Sequence, residues 1–138
     1  MLMVVPNEGK VQFLATIFYP PTVENFVIEL FKNDVTPDDD SVIGDFDVAD
    51  FAGAGPWVVG AADWDPAIIV GDVGEVSLTV PPTWVHGGGA AQVVYGWIMY
   101  GEDTLNLFCA QRFDVPRNMT SGSSESLDPF TIKLKSFA

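Results

Sequence analysis

Apolar and polar positions alternate along most of this chain, and only one segment repeats at helical spacing. That segment is residues 7–19. Asn7 suits an N-cap, and Val11, Leu14, Ala15 and Phe18 fall at i, i+3, i+4 and i+7. Phe13 and Ile17 widen the stripe, and Pro20-Pro21 ends it because neither proline donates a backbone hydrogen bond. A short helix with one apolar face is unstable alone in water. The spacing therefore predicts a helix that packs on the body or on a neighbouring subunit.

The remaining pattern is that of strands. Over 23–32, Phe26, Ile28 and Leu30 face one side and Val27, Glu29 and Phe31 the other, so both faces are largely apolar and the strand is predicted to be covered on both. A glycine-rich turn over 51–56 leads into Trp57-Val58-Val59. Residues 67–70 and 75–80 read as a hairpin about Gly71-Asp72-Val73-Gly74, ended by Pro81-Pro82. Residues 91–100 form a strand with Val93, Tyr95, Trp97 and Met99 on one face and Val94, Ile98 and Tyr100 on the other. A turn at Gly101-Glu102-Asp103 returns the chain through a strand over 104–113. Residues 119–126 are polar and predict an exposed loop. In 129–137, Phe130, Ile132 and Leu134 alternate with Thr131, Lys133 and Lys135, and the lysines suit an edge strand. Seven or eight short strands separated by turns predict a mainly β fold. The expected form is a single-domain antiparallel β-sandwich or jelly-roll-like body with a short N-terminal helix. One domain spans 1–138, with a helical arm over 1–22 and a body over 23–138 that carries an acidic loop at 34–50.

Charge narrows the partners. Six Lys and Arg stand against nineteen Asp and Glu, for a net charge of -13 among 138 residues. Nucleic acid and anionic membranes repel such a chain, so neither is an expected partner. Seven of the acids, Asp34, Asp38, Asp39, Asp40, Asp45, Asp47 and Asp50, lie within 34–50, and no Lys or Arg occurs between Asn33 and Gln111. The run does not follow the alternating ligand spacing of an EF-hand, and reads instead as a solvated, mobile surface loop. The single Cys109 excludes an internal disulfide, and its strand-like setting predicts a buried thiol. Met1–Pro6 lacks the basic n-region of a signal peptide, so Asn118-Met119-Thr120 reads as a chance match to the glycosylation pattern.

Candidate chemistry is sparse. His86 is the only histidine and precedes Gly87-Gly88-Gly89, which predicts an exposed loop residue. No nucleophile elbow, phosphate-binding glycine loop or cysteine-rich zinc spacing is present. Trp57, Trp64, Trp84 and Trp97, with Tyr95 and Tyr100, offer material for a sugar-stacking platform, but their apolar strand settings favour a role in the core. Trp64, between Asp63 and Asp65, is the one expected at the surface. No catalytic, cofactor-binding or metal-ligating residue is assigned, and no enzyme activity or cofactor is expected.

The order of short motifs carries a resemblance. Ile28-Glu29-Leu30-Phe31-Lys32-Asn33-Asp34 runs into Val35-Thr36-Pro37. Asp47-Val48-Ala49-Asp50-Phe51-Ala52-Gly53, Ala62-Asp63-Trp64 and Val94-Tyr95-Gly96-Trp97 follow. Ala110-Gln111-Arg112-Phe113-Asp114 and Phe130-Thr131-Ile132-Lys133-Leu134 close the series. This order resembles small structural proteins of tailed bacteriophages, some of them capsid cement or decoration proteins. Ala54 departs from it, since an aromatic is expected after the glycine. The resemblance implies a virion protein on the capsid exterior with no enzymatic activity. Its implied partners are the major capsid protein and further copies of itself, as a homotrimer or another homo-oligomer. On that reading the contact candidates are Val11, Phe13, Leu14, Ile17 and Phe18 of the N-terminal arm, with Lys10, Lys133 and Lys135 meeting acidic patches on the shell. A tail- or neck-associated protein, a non-catalytic carbohydrate-binding module and a small hydrolase using His86 are the alternatives.

Overall fold

A computed structural model describes residues 3–9, 25–65, 68–70, 73–127 and 131–134. Among them the chain is mainly β and sandwich-like, with every strand pair antiparallel. The strands are β1 (Phe26–Phe31), β2 (Trp57–Val59), β3 (Ile68–Val70), β4 (Val73–Ser77), β5 (Thr83–Val85), β6 (Gln92–Gly101), β7 (Leu107–Met119), β8 (Ser124–Ser126) and β9 (Thr131–Leu134). They form a four-stranded sheet in the order β2-β1-β6-β7, a three-stranded sheet β3-β4-β9 and a ribbon β5-β8.

β1 lies inside the four-stranded sheet, and its two apolar faces feed two separate cores. Ile28 and Leu30 join Val94, Trp97, Met99, Phe108 and Cys109 in the larger core, closed from the other sheets by Val76, Leu78, Trp84 and Leu127. Phe31, on the opposite face, joins Phe46, Ile98, Leu107 and Ala110 in the smaller one. The doubly apolar pattern of β1 is thus the signature of a strand covered on both sides.

Two irregularities between β6 and β7 overturn the expected alternation. From Val94 to Gly96 β6 advances two residues, while β7 advances five, from Arg117 back to Arg112. Val94 therefore faces the larger core with Trp97 and Met99, Tyr95 packs against the smaller one, and Val93 is exposed. A second register shift between Met99 and Tyr100 puts both Phe108 and Cys109 toward the larger core. Bulges bend the strand and leave residues unpaired, and the first accommodates Pro116 within β7.

Other boundaries also differ from the sequence reading. Residues 124–126, expected in a loop, pair with residues 83–85 as the β5-β8 ribbon. Val73 and Gly74 belong to β4 rather than to the turn, and β7 continues past Phe113 to Met119. β9 ends the order β3-β4-β9, with Lys133 in register opposite Glu75. Asn7–Gly9 form a helical turn where the spacing predicts the start of the N-terminal helix, and the rest of that helix lies outside the described residues.

Candidate interaction surface

Residues 33–50 cross the outer face of the four-stranded sheet as a strap. Val35, Ile43 and Phe46 turn inward onto the smaller core, and the Phe46 and Phe31 rings meet at 5.0 Å. Main-chain bonds stitch the far end of the strap to β1 and the residue after it: Lys32 N–H donates to Asp47 O at 2.7 Å and Ala49 N–H to Leu30 O at 2.8 Å. Asn33 spans the strap with its amide, donating to Asp45 O at 2.9 Å and accepting from Asp47 N–H at 2.8 Å. Ser41 is buried, with its hydroxyl oxygen 2.9 Å from the Asp38 N–H that it accepts. The acidic run is therefore a fastened cover, in place of the solvated, mobile loop expected from its composition. Val35, Ile43 and Phe46 face the smaller core while Val42 and Val48 are exposed, and all seven aspartates are exposed.

Two cations hold the ends of this cover. Arg112, on β7, donates to Val35 O at 3.0 Å, pairs with Asp34 at 2.5 Å and lies over the Tyr95 ring at 5.4 Å from its centroid. Lys32 pairs with Asp50 at 3.0 Å, and Gln92 both donates to the Asp50 carboxylate at 2.6 Å and accepts from its N–H at 2.9 Å. The Gln92 amide, followed by Lys32, holds the Asp50 carboxyl below its ordinary value. Among the described residues, no three His, Cys, Asp or Glu side chains converge as a metal-binding group.

Residues 3–9 border this surface. Val4 and Ala110 exchange both backbone hydrogen bonds, at 2.9 and 3.0 Å, so the segment adds to the outer edge of β7. Asn7 N–H donates to Asp39 O at 2.9 Å, which ties the segment to the strap as well. The arm residues proposed for shell contact, Lys10, Val11, Phe13, Leu14, Ile17 and Phe18, lie outside the described residues, as does Lys135. Lys133 is placed on β9.

His86 is buried at 1% exposure and is not the exposed loop residue expected. Its ring stacks on Phe51 with centroids 4.9 Å apart and planes 5° from parallel. Nδ1 accepts from Gly88 N–H at 3.1 Å, so Nε2 carries the proton and donates to Ala90 O at 3.0 Å. His86 backbone bonds to Ser123 and Gly122 fix the turn that joins β7 to β8. Both ring nitrogens thus serve the loop 86–90. The sequence signal for this corner is slight: an aromatic in each partner segment, Phe51 and Trp84, beside glycine turns.

Trp84 and Trp97 are core residues, with Nε1 donating to Gly55 O at 2.9 Å and to Gln111 Oε1 at 3.2 Å. Trp57 and Trp64 are half-buried against the larger core, so Trp64 is less exposed than its flanking acids suggest. Cys109 is fully buried as expected, and burial pushes its thiol pKa well up. Comparison with protein-family models and with curated proteins finds no match.

Proposed function

We propose that this chain is a structural protein of a tailed-bacteriophage virion: a capsid cement, or decoration, protein on the head exterior that bridges major capsid protein subunits as a homo-oligomer. The observation that carries the reading is the strap. The strand-to-loop segment from Ile28 to Pro37, the strongest piece of the resemblance, is where the chain leaves the sheet and folds back over it. The result is a surface whose seven carboxylates are held outward by buried Phe46 and Ser41 and by Arg112. A fixed acidic exterior keeps crowded copies soluble and repels nucleic acid. Many copies, each bridging adjacent subunits, add modest contacts into a strong attachment because later contacts are intramolecular. The mechanism is mechanical and uses no reaction. The engagement of both His86 ring nitrogens inside its own loop weighs against a hydrolase built on that residue.

The test is the copy number of this chain in purified virions of the encoding phage, measured by quantitative mass spectrometry against the major capsid protein. A simple stoichiometric ratio to the shell protein is the expected result. A handful of copies per particle moves the protein to the tail or neck, and its absence from virions overturns the structural reading.

A further inference from the structure

The loop over 86–90 closes only around a neutral imidazole. The His86 ring is buried, while the loop residues Gly87, Gly89 and Ala90 are exposed. Gly88 and Gly89 turn the loop back on the ring at φ of +140° and +94°, and a Cβ on either would meet nothing within 4 Å. The outer side of the loop is therefore open to water. The two ring bonds go to main-chain groups whose roles cannot reverse. Gly88 N–H can only donate, so Nδ1 must accept; the Ala90 carbonyl can only accept, so Nε2 must donate. A proton added at Nδ1 sets two donors against each other, ends the bond to Gly88 and buries a charge.

The segments packed on the ring do not compensate that charge. Segment 51–53 follows Asp50, whose carboxylate is taken by Lys32 and Gln92. The turn 120–123 has no titratable side chain, and past it Glu125 pairs with Arg117. The face of Phe51 attracts a cation, but it supplies no acceptor for a proton on Nδ1. The same loop ties three segments together. Gly87 N–H donates to Ala52 O at 2.7 Å, His86 N–H to Ser123 O at 2.9 Å and Gly122 N–H to His86 O at 2.8 Å.

We propose that His86 is a proton-operated latch: uptake of one proton at Nδ1 releases the loop over 86–90 from segment 51–53 and from the turn joining β7 to β8, while the four-stranded sheet stays closed. The open loop holds one proton more than the closed one, so acid favours opening. Histidine in water ionises near pH 6.5, and Asp and Glu in water stay largely ionised down to about pH 5. Between those values the latch responds before the carboxylates do. The inference is independent of the virion reading.

The test is amide hydrogen exchange on the full chain by NMR, from about pH 7.5 to about pH 5, with each rate divided by the intrinsic rate at that pH. Protection at the Gly87, Gly88 and Gly122 amides is expected to fall by up to about tenfold per pH unit below about 6.5, the slope of one bound proton. The amides of β6 should keep their protection. His86 is the only histidine, so the imidazole nitrogen shifts of the same sample report its protonation directly. A ring that becomes charged while Gly88 stays protected overturns the latch, as does unchanged protection across the range. Parallel loss in the loop and in β6 means that acid unfolds the whole protein, which also overturns it. His86→Gln cannot take up the proton and is expected to abolish the pH response of the three amides. Persistence of that response would assign it to another group and overturn the proposal. If this variant does not fold, the ring and amide readings on the unaltered protein decide alone.

Discussion

The ring of Phe31 on β1 fills the space that a side chain at Gly96 on β6 would need. The two residues are register partners, and a Cβ at position 96 would fall 2.7 Å from two Phe31 ring carbons and 2.2 Å from Gln111 O. Phe31 in turn meets Phe46, which anchors the strap. A glycine in the middle of the longest apolar strand segment is therefore the notch that lets the acidic cover sit down.

Gly96→Ala is expected to destabilise the protein by about 1–3 kcal/mol, the usual cost of overpacking a core, read as a lower urea midpoint. Adding Phe31→Leu should restore only part of the loss, because the contact with the Gln111 carbonyl remains. Full stability in Gly96→Ala would refute the notch.

The mainly β class, the central position of β1 and the burial of Cys109 are legible in the sequence because each rests on local periodicity or residue type. The β6 faces are not. A bulge at Tyr95 shifts alternation by one residue, and the sequence cannot reveal it because the extra residues lie on the partner strand, near Pro116. The β5-β8 ribbon is hidden for a related reason: Ser124, Glu125 and Ser126 are polar, and they become a strand only by pairing with Val85, Trp84 and Thr83. The strap reads as a free loop because its acids outnumber its anchors. Val35, Ile43 and Phe46 are too few and too widely separated to mark an element, and their common destination exists only once the sheet has formed.

His86→Ala is expected to cost about 2–4 kcal/mol, since it opens a cavity beside Phe51 and leaves the Gly88 N–H and the Ala90 carbonyl without their ring partners. Hydrogen exchange at the Gly88 amide should accelerate well beyond the change in global stability. An unaltered exchange rate there would show that the imidazole does not hold the loop.

Arg112→Lys keeps the charge and loses the planar fork that reaches Val35 O and Asp34 while lying over Tyr95. The Asp34 pair is largely exposed and contributes little, so most of an expected loss of about 1 kcal/mol comes from the bond to the Val35 carbonyl. The effect should be local. Amide exchange in residues 34–47 rises, while β6 remains protected. Uniform loosening of the whole sheet would contradict this assignment.

The phenol of Tyr100 donates to Glu29 Oε2 at 2.8 Å across β1 and β6. Burial, and then the adjoining Glu29 carboxylate, push its pKa well above the ordinary value of 10.0. Because the folded value is the higher one, the neutral phenol contributes stability fully below the unfolded pKa of about 10. That contribution is lost as pH rises from there through the folded value. In an alkaline titration followed by tyrosinate absorbance, Tyr100 should ionise later than free tyrosine, and Tyr100→Phe should remove that late step. The same substitution should flatten the fall in stability above about pH 10. An unchanged alkaline profile in Tyr100→Phe would mean that the bond to Glu29 does not form in solution.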